Sequence, residues 1–271
     1  MPELPEVETI RRTLSDTPGL IDQHILGVDL RWERTLAAPG SQEFKKMIVG
    51  QKLGAIGRRG KHLLFHLSRE TLVIHLRMSG DLLVKKSNEP IAKHDRLLLD
   101  FESGKRLAFN DTRKFGRIWL VSEPEELLAH LGPEPLEKSF TPEILFDGLQ
   151  KYRRQIKPLL LDQQFIAGIG NIYADESLYK ARIHPQTRSN MLNLEQAKRL
   201  WWCIRDVLKE GIRRNGTSID WIYRGGDFQN YLQVYQRTSK PCNQCSTPIE
   251  RIRVGQRGTH FCPQCQPTNE N

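Results

Sequence analysis

Four of the chain's five cysteines lie in its last thirty residues, as Cys242-x-x-Cys245 and Cys262-x-x-Cys265 with sixteen residues between the pairs. This spacing lets four thiolates meet around one tetrahedral zinc ion, each pair on a tight knuckle and the segment between returning as a β-hairpin. An iron–sulfur cluster or redox dithiols would use the same residues, and one structural zinc is the expectation. The C-terminal segment is therefore read as a small finger closed by metal. Cys203 has no partner in the pattern and stands beside Trp201 and Trp202, where a buried apolar role is expected.

The chain carries 41 Lys and Arg against 32 Asp and Glu, a formal charge of +9 over 271 residues. Such an excess suits a polyanionic partner, either nucleic acid or an anionic membrane surface. No apolar run approaches the ~20 residues of a membrane span, and the acidic, proline-containing start is not that of a signal peptide. A cytosolic protein with no membrane association is expected, with nucleic acid as the better partner and metal ligation in place of disulfides.

Hydrophobic periodicity divides the chain. From His24 to Ser122 the pattern predicts short strands over 25–31, 52–57, 63–67, 72–76, 96–101, 106–109 and 117–121, which reads as a sandwich or barrel-like sheet pair. Residues 132–136, with two prolines, read as a linker. Helical periodicity follows at 142–150, 156–164, 172–180 and 194–214, then the cysteine segment and a loose tail from Pro267. The fold class is α+β and multidomain.

The start, Met1-Pro2-Glu3-Leu4-Pro5-Glu6-Val7-Glu8-Thr9, permits a second kind of chemistry. Removal of Met1 would leave Pro2 with a secondary α-amine, and α-amines titrate near ~8, so a nucleophilic fraction exists at neutral pH. Attack on an aldehyde-like carbon would give an iminium, an electron sink that cannot shed its charge by losing an N–H proton. Glu3 and Glu6 would supply carboxylates for proton transfer. The same residues suit a helix start, with Pro5 at the first helical position and Val7, Ile10 and Leu14 as an apolar stripe to about Asp16. Both readings can hold together.

Other stretches have one functional and one ordinary reading. Gly255 and Gly258 bracket a hairpin tip that would present Arg257 to a phosphate or merely to solvent. Ala167-Gly168-Ile169-Gly170-Asn171 is a glycine-rich turn into a helix, where free N–H groups could meet a phosphate. Arg58-Arg59-Gly60-Lys61 is a phosphate clamp or a solvated turn, and Lys93-His94 a weaker case of the same kind. Met78 before a Ser-Gly turn, and Arg113 near Phe115 on a polar loop, are either core filler or a wedge that parts base steps.

The run Pro2–Thr9 resembles the N-terminus of bacterial formamidopyrimidine-DNA glycosylases, and the similarity returns along nearly the whole chain. The sister family that removes oxidised pyrimidines usually has glycine where this chain has Leu4. The resemblance implies a catalytic β-sandwich domain with an N-terminal helix over 1–133, a helix–two-turn–helix domain over 134–236 and a zinc-finger hairpin over 237–271. It implies excision of 8-oxoguanine and formamidopyrimidines from duplex DNA, with β,δ-elimination at the abasic site. Pro2, Glu3, Glu6 and Lys61 would be catalytic. Lys157, Asn171, Arg257 and His94 would hold the DNA backbone. Met78, Arg113 and Phe115 would fill the gap left by the flipped nucleotide, with Arg113 facing the orphaned cytosine. A monomeric, nucleoid-associated cytoplasmic enzyme with no cofactor beyond zinc is expected. The open alternatives are an oxidised-pyrimidine glycosylase and a non-catalytic zinc DNA-binding protein. The span Gly216–Tyr231 is read as a lid over the extruded purine, or as a segment packed shut by Trp221, Tyr223 and Phe228.

Overall fold

The structure is a computed structural model that describes residues 1–218 and 225–268. Two compact units emerge, one of Met1–Pro2 and Glu6–Ala129, the other of Glu3–Pro5 and His130–Asn271.

In the first unit the predicted strands form two sheets. One has the order β1 (Ile25–Leu30), β7 (Asp95–Phe101), β8 (Lys105–Asp111), β6 (Gly80–Lys86), antiparallel throughout. The other runs β2 (Leu36–Ala38), β9 (Arg117–Val121), β5 (Thr71–His75), β4 (His62–Leu67), β3 (Leu53–Arg59), with only the β2–β9 pair parallel. On β4 Leu63 and Phe65 are buried and alternate with more exposed residues, as expected for a sheet with an apolar face, whereas on β7 Leu97, Leu98 and Leu99 are all buried. The result is the expected β-sandwich. Its N-terminal helix α1 (Leu4–Ser15) buries Val7, Ile10 and Leu14. Four of the strands and α-helices were not anticipated. Strand β6 begins at Gly80, inside what reads as a Ser-Gly turn, and ends in Lys85-Lys86. Strand β2 spans three residues. Helix α2 (Ser41–Ile48) starts from Gly40 with no side-chain cap, so it lacks the usual start signal. A short helix α3 (Pro124–Leu128) follows β9.

The second unit is helical. Thr141 caps α4 (Pro142–Gln150) by accepting the Ile144 N–H, and Asn193 with Gln196 forms a reciprocal capping box at α7 (Leu194–Arg213). Helix α7 turns Ala197, Leu200, Ile204 and Leu208 to the core. Helix α5 (Ile156–Leu161) is shorter than its periodicity predicts, because Asp162 leaves the helical conformation. Helix α6 (Asn171–Ala181) buries nine of its eleven residues, including Asp175 and Glu176. A helix buried on all sides must give its polar groups internal partners, and these organise the site below. Strands β10 (Glu250–Val254) and β11 (Arg257–Phe261) form the hairpin expected between the cysteine pairs. The Cys242, Cys262, Ile249 and Val234 side chains share a small core with Tyr179 of α6.

Candidate functional site

In the second unit, the glycine-rich turn receives the Glu3 side chain. Glu3 lies at the start of α6, where its carboxylate accepts the N–H groups of Ile172 at 3.1 Å and Tyr173 at 3.4 Å. Two of the helix's free donors are thereby directed to Glu3. Both glycines are required by this approach. A Cβ on Gly170 would lie 2.2 Å from Glu3 Cδ, and one on Gly168 (φ +88°) 2.6 Å from Leu4 Cδ1. Leu4 itself is buried in the helical core, with its N–H bonded to the Gly168 carbonyl at 3.0 Å.

Lys157, expected at the DNA backbone, has its side chain buried in the second unit. It is 0% exposed, paired with Asp175 at 2.6 Å, and donates to Gly258 O at 3.0 Å and Thr259 Oγ1 at 2.8 Å. The ammonium thus faces inward, hydrogen-bonded to the hairpin and ion-paired with α6. Burial draws its pKa down despite Asp175 beside it. The other Asp175 oxygen accepts the His260 N–H at 2.9 Å, while Glu176 accepts those of Gln233, Val234 and Tyr235. Asn171, half-buried, donates Nδ2 to Gly258 O at 3.2 Å and leaves its Oδ1 buried without a partner. The hairpin turns through Gly255 and Gln256, both with positive φ, so Arg257 is the first residue of β11 and is exposed.

The four cysteines meet as predicted. Their sulfurs all lie within 4.8 Å of one another, with Cys242–Cys265 at 3.9 Å, Cys245–Cys262 at 3.4 Å and Cys245–Cys265 at 3.5 Å. A tetrahedral zinc with Zn–S bonds of about 2.3 Å has sulfur–sulfur edges of about 3.8 Å, so the set fits zinc and is far too long for disulfides. The Gln244 and Cys265 N–H groups and the Tyr179 hydroxyl surround the sulfurs. Cys203 is buried and its thiol is pushed up to about 11 by desolvation, in keeping with an inert apolar role.

In the first unit, Glu6 is buried and Pro2 half-buried at the head of α1. The basic run is not a solvated patch. Glu8 binds Arg11, Arg12 and Arg58, and Arg58 also donates to the Gly60 carbonyl at 2.9 Å, just ahead of Lys61. Burial opposes ionisation of Glu8, but the arginines outweigh it and lower its pKa. Lys61, which sequence reasoning would place at the surface by default, is 6% exposed. A residue not anticipated as functional stands beside it. His75 is buried and pairs with His62 across β4 and β5, their rings 4.5 Å apart. Arg77 N–H donates to His75 Nδ1 at 2.9 Å, which leaves the proton on Nε2. Burial, and then the neighbouring His62, Arg77 and Lys61, hold its pKa well below the ordinary value. The strand-end His-Leu-Arg-Met pattern was the only sequence signal for it.

Met78 is 40% and Phe115 49% exposed, so neither is core filler, and Arg113 places its guanidinium 5.1 Å from the Phe115 ring. His94 is half-buried, with Nδ1 3.2 Å from Arg96 Nη2. Of the expected lid, residues 219–224, with Trp221 and Tyr223, lie outside the described residues. Phe228 is buried and stacks on Tyr173 at 5.3 Å.

Three domain families match in sequence: "Formamidopyrimidine-DNA glycosylase N-terminal domain" over residues 1–118, "Formamidopyrimidine-DNA glycosylase H2TH domain" over 131–222, and "Zinc finger found in FPG and IleRS" over 239–268. Formamidopyrimidine-DNA glycosylase of Chloroflexus aurantiacus is 49% identical over 276 residues, covering 99% of this chain and 98% of the relative. That of Pelotomaculum thermopropionicum is 46% identical over 278 residues, covering 98% and 99%. Among solved structures, a Lactococcus lactis FPG mutant with Fapy-dG containing DNA matches with a TM-score of 0.92 and 37% identity, over 98% of this chain and 100% of that one. The Lactococcus lactis Fpg with an abasic site containing DNA matches at 0.91 and 37%, with the same coverage. A structure of MutM with carbocyclic 8-oxo-G containing DNA matches at 0.92 and 38%, again over 98% and 100%.

Proposed function

The chain belongs to the formamidopyrimidine-DNA glycosylase family, and on that premise we propose how its own residues divide the reaction. The protein is a DNA glycosylase and abasic-site lyase that removes oxidised purines from DNA in base-excision repair. Residues 1–133 form the catalytic domain, 134–236 the helix–two-turn–helix domain and 237–271 the zinc-finger hairpin and tail. The enzyme acts on duplex DNA as a cytoplasmic monomer; among the described residues no helix is long and apolar enough to cross a membrane.

The mature chain begins at Pro2, whose free amine attacks the sugar C1′ as the bond to the damaged base breaks, the amine's N–H proton passing to the departing base. Glu3, adjacent in sequence, delivers a proton to the ring oxygen as the sugar opens, giving an iminium between Pro2 and C1′. The iminium acidifies the 2′ hydrogen. Its removal breaks the 3′ C–O bond, and a second elimination breaks the 5′ C–O bond. Glu6 positions the nucleotide, and Lys61 brings positive charge to its phosphate. Zinc contributes no step: bound by Cys242, Cys245, Cys262 and Cys265, it holds the hairpin so that Arg257 meets the backbone. Asn171 and His94 add backbone contacts, which position without reading sequence. Met78, Arg113 and Phe115 enter the duplex and offset the few kcal/mol needed to unstack a base.

The observation that carries this reading is the fixing of Glu3, the residue after Pro2, by the α6 N–H groups, a contact 169 residues apart in sequence. Burial of Leu4, where the sister family usually has glycine, supports purine over pyrimidine lesions. The test is incubation with a duplex containing one 8-oxoguanine opposite cytosine, with borohydride present. A cut strand without borohydride and a covalent complex with it are expected. A non-catalytic DNA-binding protein would give neither.

A further inference from the structure

The exposed wedge residues sit on two loops that converge on one buried carboxylate. The loop from β5 to β6 carries Met78, and the loop from β8 to β9 carries Arg113 and Phe115. Each holds a non-glycine residue in the left-handed region next to its wedge residue, Arg77 at φ 56° and Lys114 at φ 61°. That conformation is unfavourable for an L-residue and survives where the surroundings over-determine it.

Asp111, at the end of β8, supplies the constraint. Its Oδ1 accepts the Ser79 hydroxyl of the first loop and the Arg113 N–H of the second at 3.2 Å; its Oδ2 accepts the Gly116 N–H at 2.8 Å. Ser79 Oγ also accepts the Arg113 N–H, at 3.1 Å. The Phe109 ring floors both loops: a Cβ would lie 2.9 Å from it at Gly80 and 2.3 Å at Gly116. On its far side, Asp111 takes the Arg96 Nε–H on its carbonyl at 2.8 Å and donates its N–H to His94 O at 2.9 Å.

Asp111 has no part in the chemistry above. We propose that it is a positioning residue that locks the two loops into one pre-organised insert, so that Met78, Arg113 and Phe115 enter the duplex together. The inference rests on the wedge role proposed above. A rigid insert lowers the cost of extruding a stacked base, because no loop is left to be ordered at the moment of entry. An abasic nucleotide has no base to unstack, so its cleavage depends far less on the insert.

Asp111→Asn keeps the shape but replaces one acceptor oxygen by a donor, which either Gly116 or the Ser79–Arg113 pair must face. Ser79→Ala removes only the two bonds of the Ser79 hydroxyl, one to Asp111 and one from the Arg113 N–H. Single-turnover excision of 8-oxoguanine should fall about tenfold or more in each variant, while cleavage of a preformed abasic site stays within about threefold of wild type. Met78→Ala and Arg113→Ala, combined, should lose less than the product of their separate losses in the wild type, and the full product in Ser79→Ala. Equal losses on both substrates, or no loss on either, overturn the proposal. If Asp111→Asn does not fold, Ser79→Ala decides alone. Full excision by Met78→Ala and Arg113→Ala would overturn the wedge reading and this proposal with it. Losses in those two that simply multiply in the wild type would overturn the coupling alone.

Discussion

Replacing Lys157 by Met separates two accounts of this lysine, phosphate contact and hairpin support. Lys157 and Asp175 are both 0% exposed and 2.6 Å apart, and the ammonium also serves Gly258 O and Thr259 Oγ1. Methionine is of similar length, so little volume is lost, but Asp175 would keep a buried charge with only His260 as partner. Breaking a buried pair from one side costs about 3–5 kcal/mol, a large part of the roughly 5–15 kcal/mol that a domain has. Removing both charges, as Lys157→Met with Asp175→Asn, should recover most of that loss, because no lone charge remains. Urea unfolding at pH 7 measures both. The DNA assay adds an independent sign. A residue on a phosphate lowers the slope of log K against log salt by about 0.9 when removed. Arg257→Ala should do this; Lys157→Met should weaken binding with the slope unchanged. A Lys157→Met enzyme within about 1 kcal/mol of wild type, or a slope lowered like that of Arg257→Ala, would refute the reasoning.

Three further outcomes follow from the geometry. Gly170→Ala places a Cβ 2.2 Å from Glu3 Cδ and should lower single-turnover excision by about 100-fold, the scale of a displaced catalytic group, while bound zinc by elemental analysis is unchanged. Since the folded-state pKa of His75 lies below its unfolded value, the unfolded chain binds the extra proton; stability is full above about pH 6.5 and falls below it by up to ~1.4 kcal/mol per pH unit. Thermal melting of His75→Gln should lack that share of the acid sensitivity. Cys245→Ser should release zinc and weaken DNA binding while far-UV helicity persists, because the large helical core does not include the hairpin; loss of all helicity on melting analysis would contradict this.

What the sequence made legible was local. Alternating Leu63 and Phe65 marked a strand, Thr141-Pro142 a helix start, and the cysteine knuckles a zinc hairpin. What it hid depended on partners distant in the chain. Lys61 reads as a surface cation and Lys157 shows no buried partner, because nothing near them in sequence announces the buried face of the β3–β4 turn or Asp175. The glycines at 168 and 170 read as a phosphate cradle; their use is room for Leu4 and Glu3, which only the fold brings near. His75 gained meaning through the strand register that sets it against His62. Asp111 reads as one residue of a polar loop, and only the fold sets Ser79 against its carboxylate.

The central claim, that the prolyl amine of residue 2 performs the chemistry, is tested most directly by the mass of the borohydride-trapped complex with 8-oxoguanine DNA. After digestion, the adduct should map to an N-terminal peptide that begins at Pro2 and lacks Met1, and Pro2→Gly should trap far less. Full trapping by chains that retain Met1, or an adduct mapped to a lysine such as Lys61, would contradict the account.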